Sequence, residues 1–346
     1  MFKRIFSKDI GLDLGTTNTR VYVRGRGLVI NESTIMAMNT RNDQVVAIGN
    51  NALRMLGKAP GHISIIKPLV NGVISDFEVT EKMLKLIFNK VHHDGFTLIP
   101  RPRVVASIPL EITEVEKKSL EDVILQAGAR EVFLVERPVA AAIGARLPVQ
   151  ESIGNLIVEL GGGLSEIAVI SLNGIVAHKS LKIGGELMSK NIIDYVREKF
   201  GVLLGQQTAE EVKIKIGSAA SVGKTQDMKI KGRDLVSGLP KEITITDVQV
   251  REAILPTLKM IVEGIKDTIE STPPELVSDI YERGVILSGG ASLLKGLDKL
   301  IRKKINISVC LVDDPSTAII RGTGLILEDF DNLKPVIIPS TRDKKL

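Results

Sequence analysis

The feature that most constrains this chain is that part of it occurs twice. Residues 9–23 read DIGLDLGTTNTRVYV, and residues 155–169 read NLIVELGGGLSEIAV. Placing Asp13 on Glu159 sets an offset of 146 (159 less 13). Gly15 then falls on Gly161, Thr16 on Gly162, Thr17 on Gly163, and Val21–Val23 on Ile167–Val169. Each copy is an apolar run ending in an acid, a tight turn of small residues, and a second alternating run, which is the pattern of a β-hairpin. One such hairpin means little, because Gly and Thr suit many turns. Two in register, each with an acid just before the elbow, mean more.

A duplicated hairpin predicts two similar halves facing each other across a cleft. Small elbow residues let backbone N–H groups approach a polyphosphate from both sides. The acids cannot ligate phosphate, so they are expected to handle its cation. Mg²⁺ suits one or two carboxylates together with waters and phosphate oxygens. The residues therefore predict a Mg-nucleotide between related domains, with Asp13 and Glu159 serving the metal through water.

Composition narrows the remaining classes. At roughly 150 residues per domain, 346 residues predict two domains. With 44% hydrophobic and 25% charged residues, the chain has the balance of a folded protein with a full core. A net charge of +5, with 8 Phe, 3 Tyr and no Trp, is too mild and too poor in stacking platforms for a nucleic-acid binder. The one cysteine, Cys310, excludes a disulfide framework, fits a reducing cytoplasm and is expected in a buried strand. No apolar run reaches the ~18 residues needed to span a bilayer.

A coarse pass predicts strands at 27–37, 44–48, 104–108 and 132–135, with an amphipathic helix over 80–91. The Thr113-x-x-Glu116 pattern predicts a capped helix over 113–127. Pro138 suits the first turn of a small-residue helix running to Gly144. In the second half, helices are expected at 187–200, 209–216 and 247–271, with β-like residues at 228–245. A strand at 284–287 runs into Ser288-Gly289-Gly290-Ala291-Ser292 and then a helix over 293–304, a layout in which a helix N-terminus receives phosphate or base. His92, His93 and Asp94 read as a solvated turn, and 335–346 as an irregular tail.

With these elements in place, the chain resembles the actin, sugar-kinase and heat-shock ATPase superfamily, and more narrowly the bacterial MreB-type proteins. The resemblance rests on GLDLGTTNTRVYVRGRGLVINES (11–33), NGVISDFEVTEKML (71–84) and QAGAREVFLVERPVAAAIGARLPV (126–149). It continues through VISLNGIVAHKSLKIGG (169–185), TAEEVKIKIGSA (208–219), PPELVSDIYERGVILSGGASLLKGLDKL (273–300) and DDPSTAIIRGTG (313–324). It implies an α/β actin-like fold of two duplicated ribonuclease-H-type domains, each with a smaller sub-domain. Domain I would be 1–145 plus a C-terminal helix at about 322–334, with its sub-domain at about 32–75. Domain II would be 146–321, with its sub-domain at about 184–245.

The resemblance also implies a site for ATP and Mg²⁺. Gly15, Thr16, Thr17 and Asn18 would form the first phosphate loop, with Asp13 near the metal. Gly161, Gly162 and Gly163 would form the second, with Glu159 where the family usually has Asp. Glu210 and Lys213, one turn apart on a helix, would contact ribose and base. Gly289, Gly290 and Ala291 would line the adenosine site. The chain departs from the family at two positions. The Glu before the Pro of the E-P-x-A-A-A segment, which positions the attacking water, is here Arg137, and the Thr after the three glycines is Leu164. A guanidinium cannot accept a proton from water, and losing a general base costs about 10²–10⁴ in rate. Slow hydrolysis is expected, unless Glu136 or Ser165 substitutes through a small backbone shift. Arg137 has a second use open to it, pairing with the γ-phosphate.

The N-terminal MFKRIFSK places Phe2, Ile5 and Phe6 on one helical face among basic residues, a membrane-surface pattern. The apolar Phe96, Leu98 and Ile99 form a second candidate, because the family presents an apolar loop there. The implied function is a filament subunit at the inner face of the cytoplasmic membrane, a homopolymer that helps set cell shape by organising wall-synthesis proteins. The alternative is a specialised paralogue that binds ATP without hydrolysing it and co-assembles with a second MreB-type protein. A small-molecule kinase of the same superfamily is less favoured, because no acceptor-side carboxylate or substrate-binding insertion is seen.

Overall fold

The computed structural model describes residues 8–92, 101–221 and 223–341. In chain order the first elements are β1 Ile10–Leu14, β2 Asn18–Val23, β3 Gly27–Ser33, β4 Met36–Asn39, β5 Gln44–Ile48, α1 Gly49–Met55, β6 Ile63–Ile66, β7 Leu69–Val70, β8 Val73–Ile74, α2 Phe77–His92, β9 Arg103–Ile108, α3 Glu114–Gln126, β10 Glu131–Glu136 and α4 Arg137–Gly144. They are followed by β11 Asn155–Leu160, β12 Ser165–Ser171, β13 Gly174–Leu181, α5 Gly185–Phe200, β14 Val202–Leu203, α6 Gln206–Ile216, β15 Asp227–Asp234, β16 Pro240–Thr246, α7 Asp247–Glu270, α8 Pro274–Arg283, β17 Val285–Ser288, α9 Leu297–Ile305, β18 Val309–Leu311 and α10 Ala318–Glu328. Two compact units result: residues 1–152, 171–175 and 317–346, and residues 153–170 and 176–316.

The sheets carry the duplication that the sequence predicts. In the first unit the strand order is β10-β9-β1-β2-β3. β1, β2 and β3 form an antiparallel meander, and β9 and β10 extend it in parallel from β1. In the second unit the order is β13-β12-β11-β17-β18, with β12 antiparallel to β11 and with β17 and β18 running parallel. β1 and β11 are therefore equivalent central strands. Each is buried along its whole length, which is why both read as near-continuous apolar runs broken only by their acids. Separate cores form around them, one with Leu12, Val104 and Leu134, the other with Val158, Ile254 and Leu287. A small sheet β5-β4-β6 decorates the first unit and another, β14-β15-β16, the second.

Local signals account for several boundaries. The expected capping box closes at α3, where Thr113 Oγ1 accepts from Glu116 N and the Glu116 carboxylate accepts from Thr113 N. Pro138 sits in the first turn of α4, whose eight residues are all buried. This helix packs against α10 through glycines. A Cβ on Gly144 would collide with the Ala318 carbonyl oxygen, and one on Gly322 with that of Ala140. α10 also seats on β1, because a Cβ on Gly11 would lie 2.6 Å from Thr323 Oγ1.

Elsewhere the structure corrects the sequence reading. The C-terminal helix spans Ala318–Glu328 rather than about 322–334, because a 3₁₀ turn at Pro315–Thr317 feeds directly into it. The segment after it is a strap: Ile338 bridges to Leu134, Lys117 Nζ donates to Pro339 O at 2.6 Å, and the buried Glu121 accepts from Thr341. Gly290–Leu293 is a 3₁₀ turn, and α9 starts only at Leu297, past Gly296 at φ +73°. No helix N-terminus therefore follows directly on the Gly-rich turn. Cys310 is exposed, on the terminal strand β18. His92 is buried, its Nδ1 2.7 Å from Phe88 O, and desolvation lowers its pKa. His93 and Asp94 lie outside the described residues. Helix α8 is not among the elements read from the sequence, although Pro274 in its first turn, Arg283 in its last and Gly284 just past its end mark it.

The α4–α10 contact yields a direct test. Gly322→Ala should destabilise the first unit by about 1–3 kcal/mol through overpacking, lowering the calorimetric melting midpoint. Gly61→Ala, where an added Cβ meets no atom within 4 Å, should leave it unchanged.

Candidate functional site

In each unit the chain closes the elbow with the same backbone hydrogen bond. Gly15 N donates to Asn18 O at 3.1 Å, and Gly161 N donates to Leu164 O at 2.8 Å. The offset of 146 found in the sequence is thus also an offset in hydrogen bonding. The first elbow is braced from outside by Thr34, whose Oγ1 donates to Gly15 O at 2.7 Å, and by Gly72, whose N–H donates to Thr16 Oγ1 at 2.8 Å. These bonds bury Gly15 and Thr16, leaving Thr17 exposed and Asn18 half-buried. The second elbow is braced by the start of α5: Gly185 N donates to Gly161 O at 3.0 Å and Glu186 N to Gly162 O at 2.8 Å. A Cβ on Gly184 would lie 2.6 Å from both of those carbonyl oxygens, so glycine is needed there.

The acid before the first elbow is heavily engaged. Asp13 is 1% exposed, and the β1–β2 register sets it opposite Arg20. Arg20 Nη1 donates to its Oδ2 at 3.2 Å, and Ser107 Oγ, on β9, donates to its Oδ1 at 3.0 Å. Arg137 Nη2 stands 3.7 Å from the same Oδ1. The Arg137 guanidinium also lies against the elbow, with Nη2 and Nη1 at 3.7 and 3.9 Å from where a Cβ of Gly15 would be. One carboxylate thus stands between two guanidiniums. Each Asp13 oxygen accepts one side-chain hydrogen bond, and an ionised carboxylate has further lone pairs with which it could accept from a water carried by Mg²⁺.

The second elbow carries acids at both equivalent positions. Glu159 and Glu166, 2% and 0% exposed, are direct cross-strand partners. Glu166 stands at the register position that Arg20 occupies in the first unit. Beside them Gly289, at φ +86°, lets the backbone pass close to Leu160 O, and a Cβ there would be 2.7 Å from Glu159 Oε1. Gly290 is open and exposed, Gly163 is buried, and Ala291 is half-buried. A Cβ on Gly185 would lie 3.1 Å from Lys213 Nζ and 3.7 Å from Ala291 Cβ. Lys213 Nζ donates to Gly185 O and to Glu210 Oε2, each at 2.7 Å, and Ser189 Oγ donates to that same Glu210 oxygen at 2.6 Å. Residues predicted from three separate segments, 159–163, 210–213 and 289–291, thus converge within this unit. Among the described residues no three His, Cys, Asp or Glu side chains group as a metal site.

The two departures from the family pattern have different surroundings. Leu164 is 5% exposed, the fourth residue of its elbow. Ser165, next to it, is fully buried with Oγ donating to Ile183 O at 2.9 Å. Glu136 ends β10, in register with Ile108, immediately before Arg137 opens α4. Sequence reasoning missed Arg20, Ser107 and Glu166. A signal for two of them was present, because position 20 falls on position 166 at the offset of 146 and their charges are opposite. Phe2, Ile5, Phe6, Phe96, Leu98 and Ile99 lie outside the described residues. Among the described residues no helix is long and apolar enough to cross a membrane.

Comparison with known proteins is consistent across sequence and structure. The family model described as MreB/Mbl protein matches residues 7–335. Cell shape-determining protein MreB of Escherichia coli (strain K12) is 44% identical over 336 residues, covering 95% of this chain and 96% of that protein. Cell shape-determining protein Mbl of Bacillus subtilis (strain 168) is 41% identical over 329 residues, covering 95% and 98%. The crystal structure of MreB 5 of Spiroplasma citri bound to AMPPNP superposes with a TM-score of 0.90 at 35% identity, covering 94% of this chain and 97% of that one. The MamK double helical filament, at TM-score 0.78 and 19% identity over 93% of this chain and 99% of that one, shares the fold.

The Asp13 cluster is open to measurement. Asp13→Ala leaves two guanidiniums without their carboxylate and should cost about 3–5 kcal/mol in urea unfolding. Glu131→Ala, which removes an exposed partner of Arg103, should cost about 0–1 kcal/mol.

Proposed function

The chain belongs to the MreB/Mbl family, and on that premise we propose that this bacterial actin-like cytoskeletal protein binds ATP, self-assembles into filaments, and hydrolyses its nucleotide slowly or not at all. The observation that carries the nucleotide reading is the repeated elbow, closed by the same backbone hydrogen bond at Gly15 and Gly161. Spiroplasma citri relatives of known structure are bound to AMPPNP and to ADP, which supports a nucleotide ligand here. Gly15–Asn18 and Gly161–Gly163 would hold phosphates. Gly289–Ala291, Glu210 and Lys213 would hold the nucleoside. Mg²⁺ would arrive with ATP, with Asp13 and Glu159 serving it through water.

Slow hydrolysis is supported by what replaces the water-orienting groups. Arg137 is a permanent cation engaged with Asp13, and Leu164 has no polar atom to offer. Substitution by Ser165 is disfavoured by its hydroxyl's bond to Ile183 O. In this reading the chain acts in cell shape as its relatives' names describe, lying at the inner face of the cytoplasmic membrane and organising wall-synthesis proteins. A paralogue that binds ATP and co-assembles with a second MreB-type protein is favoured by the same two substitutions.

Pelleting with ATP, ADP or no nucleotide, with phosphate release measured in the same tube, tests this directly. ATP-dependent pelleting is expected, with release about 10²–10⁴-fold slower than from a relative carrying the usual Glu and Thr. Arg137→Glu combined with Leu164→Thr should raise release; ordinary turnover by the unaltered chain would refute the slow-hydrolysis reading. Liposome co-sedimentation should fall when Phe2, Phe6 and Leu98 are each replaced by Asp, and equal pelleting would refute membrane attachment through those residues.

A further inference from the structure

We propose that residues 338–341 are a latch that opens without the first unit unfolding, and that the site it uncovers is taken by the same segment of a second copy of this chain. Helix α3 is built to receive this segment. Lys117 and Glu121, four residues apart on it, are 5% and 1% exposed. Lys117 Nζ donates to Pro339 O at 2.6 Å, and the Glu121 carboxylate accepts from Thr341 N at 3.2 and 3.3 Å and from Thr341 Oγ1. Among the described residues these are the only side-chain hydrogen bonds of either, and neither forms an ion pair. Beside them Ile338 N donates at 2.9 Å to Leu134 O on β10, the terminal strand of its sheet. The latch thus covers a sheet edge and two buried charges together.

The segment is anchored upstream of the latch. Phe330 packs edge-on against Phe133 of β10 with ring centroids 4.9 Å apart, and the buried Val336 ends a 3₁₀ turn. Residues 331, 332, 334 and 335 between them are exposed. Within the latch only Ile338 packs against the core, and it is half-buried. Opening therefore gives up a few hydrogen bonds and little apolar area. The uncovered charges meet water, where residues four apart on a helix can pair with each other, so neither is left buried and alone. What remains is an unpaired strand edge, a surface that takes up extended segments. The segment whose carbonyl, hydroxyl and N–H groups match it is this chain's own, and exchange of an identical element between copies is a low-cost route to association.

Hydrogen exchange on the unaltered full chain tests the opening. The amides of Ile338 and Thr341 should exchange at least about tenfold faster than those of β9, the next strand inward. Thr341→Val, which keeps the N–H bond and loses the hydroxyl, should speed them about tenfold again while leaving β9 unchanged. Latch amides as protected as those of β9 would overturn the proposal. Disulfide trapping tests the occupant. A full chain carrying Glu121→Cys and Cys310→Ser is mixed, with oxidised glutathione present, with one carrying Thr341→Cys and Cys310→Ser. Covalent dimers should form about tenfold faster than when the second chain is unaltered and offers only the exposed Cys310. Equal rates would overturn exchange between copies. The hydrogen-exchange comparison on the unaltered chain keeps the proposal refutable even where a variant fails to fold.

Discussion

The carboxylate of Asp13, sunk in the first sheet between two guanidiniums, is the interaction on which the character of this protein depends. A buried charge is tolerated only when it is paired and hydrogen-bonded, and Asp13 has Arg20, Arg137 and Ser107 around it. That arrangement holds the start of α4 beside the elbow. The second elbow, built on the same strand order, has Glu159 facing Glu166 instead. The repeated backbone thus carries oppositely charged residues, Arg20 and Glu166, at the same register position.

This divergence bears on what the nucleotide does. In an actin-like ATPase the bound triphosphate is both a ligand that stabilises one state and a substrate whose cleavage ends it. On the proposed reading, an arginine in place of the acid and an aliphatic side chain in place of the hydroxyl would remove the second role while leaving groups suited to the first. Filament lifetime would then follow nucleotide occupancy and exchange rather than hydrolysis. The fold does not resist such a change, because the altered residues sit on elements held by other means: α4 by its glycine contact with α10, and the second elbow by the N-terminus of α5.

Much of this was legible before any coordinates. The repeat at 146, the acids before the elbows and the capping box at Thr113 are short-range patterns, and short-range patterns survive in sequence. The Gly-rich run at 288–292 was legible as a turn after a strand, and Gly289 there adopts φ +86°. Its continuation was misjudged, because a 3₁₀ turn and a direct helix start look alike in composition. Cys310 was misplaced because a terminal strand and a central one share a pattern. His92 was misplaced because burial at a helix end depends on what packs over it.

The sequence by itself determined that there are two similar halves, that each turns on small residues behind an acid, and that Arg137 and Leu164 stand where the resemblance implies a Glu and a Thr. These properties lie within a few residues of one another along the chain, where composition and spacing suffice. Only the tertiary structure decided which charges meet. Ser107 lies 94 residues from Asp13 in sequence, and a β-ladder brings it within hydrogen-bonding distance. Cross-strand register likewise joins Arg20 to Asp13 and Glu166 to Glu159. Partnership between distant strands is fixed by pairing and packing, which act through space, so no local pattern could have shown that Ser107 reaches Asp13.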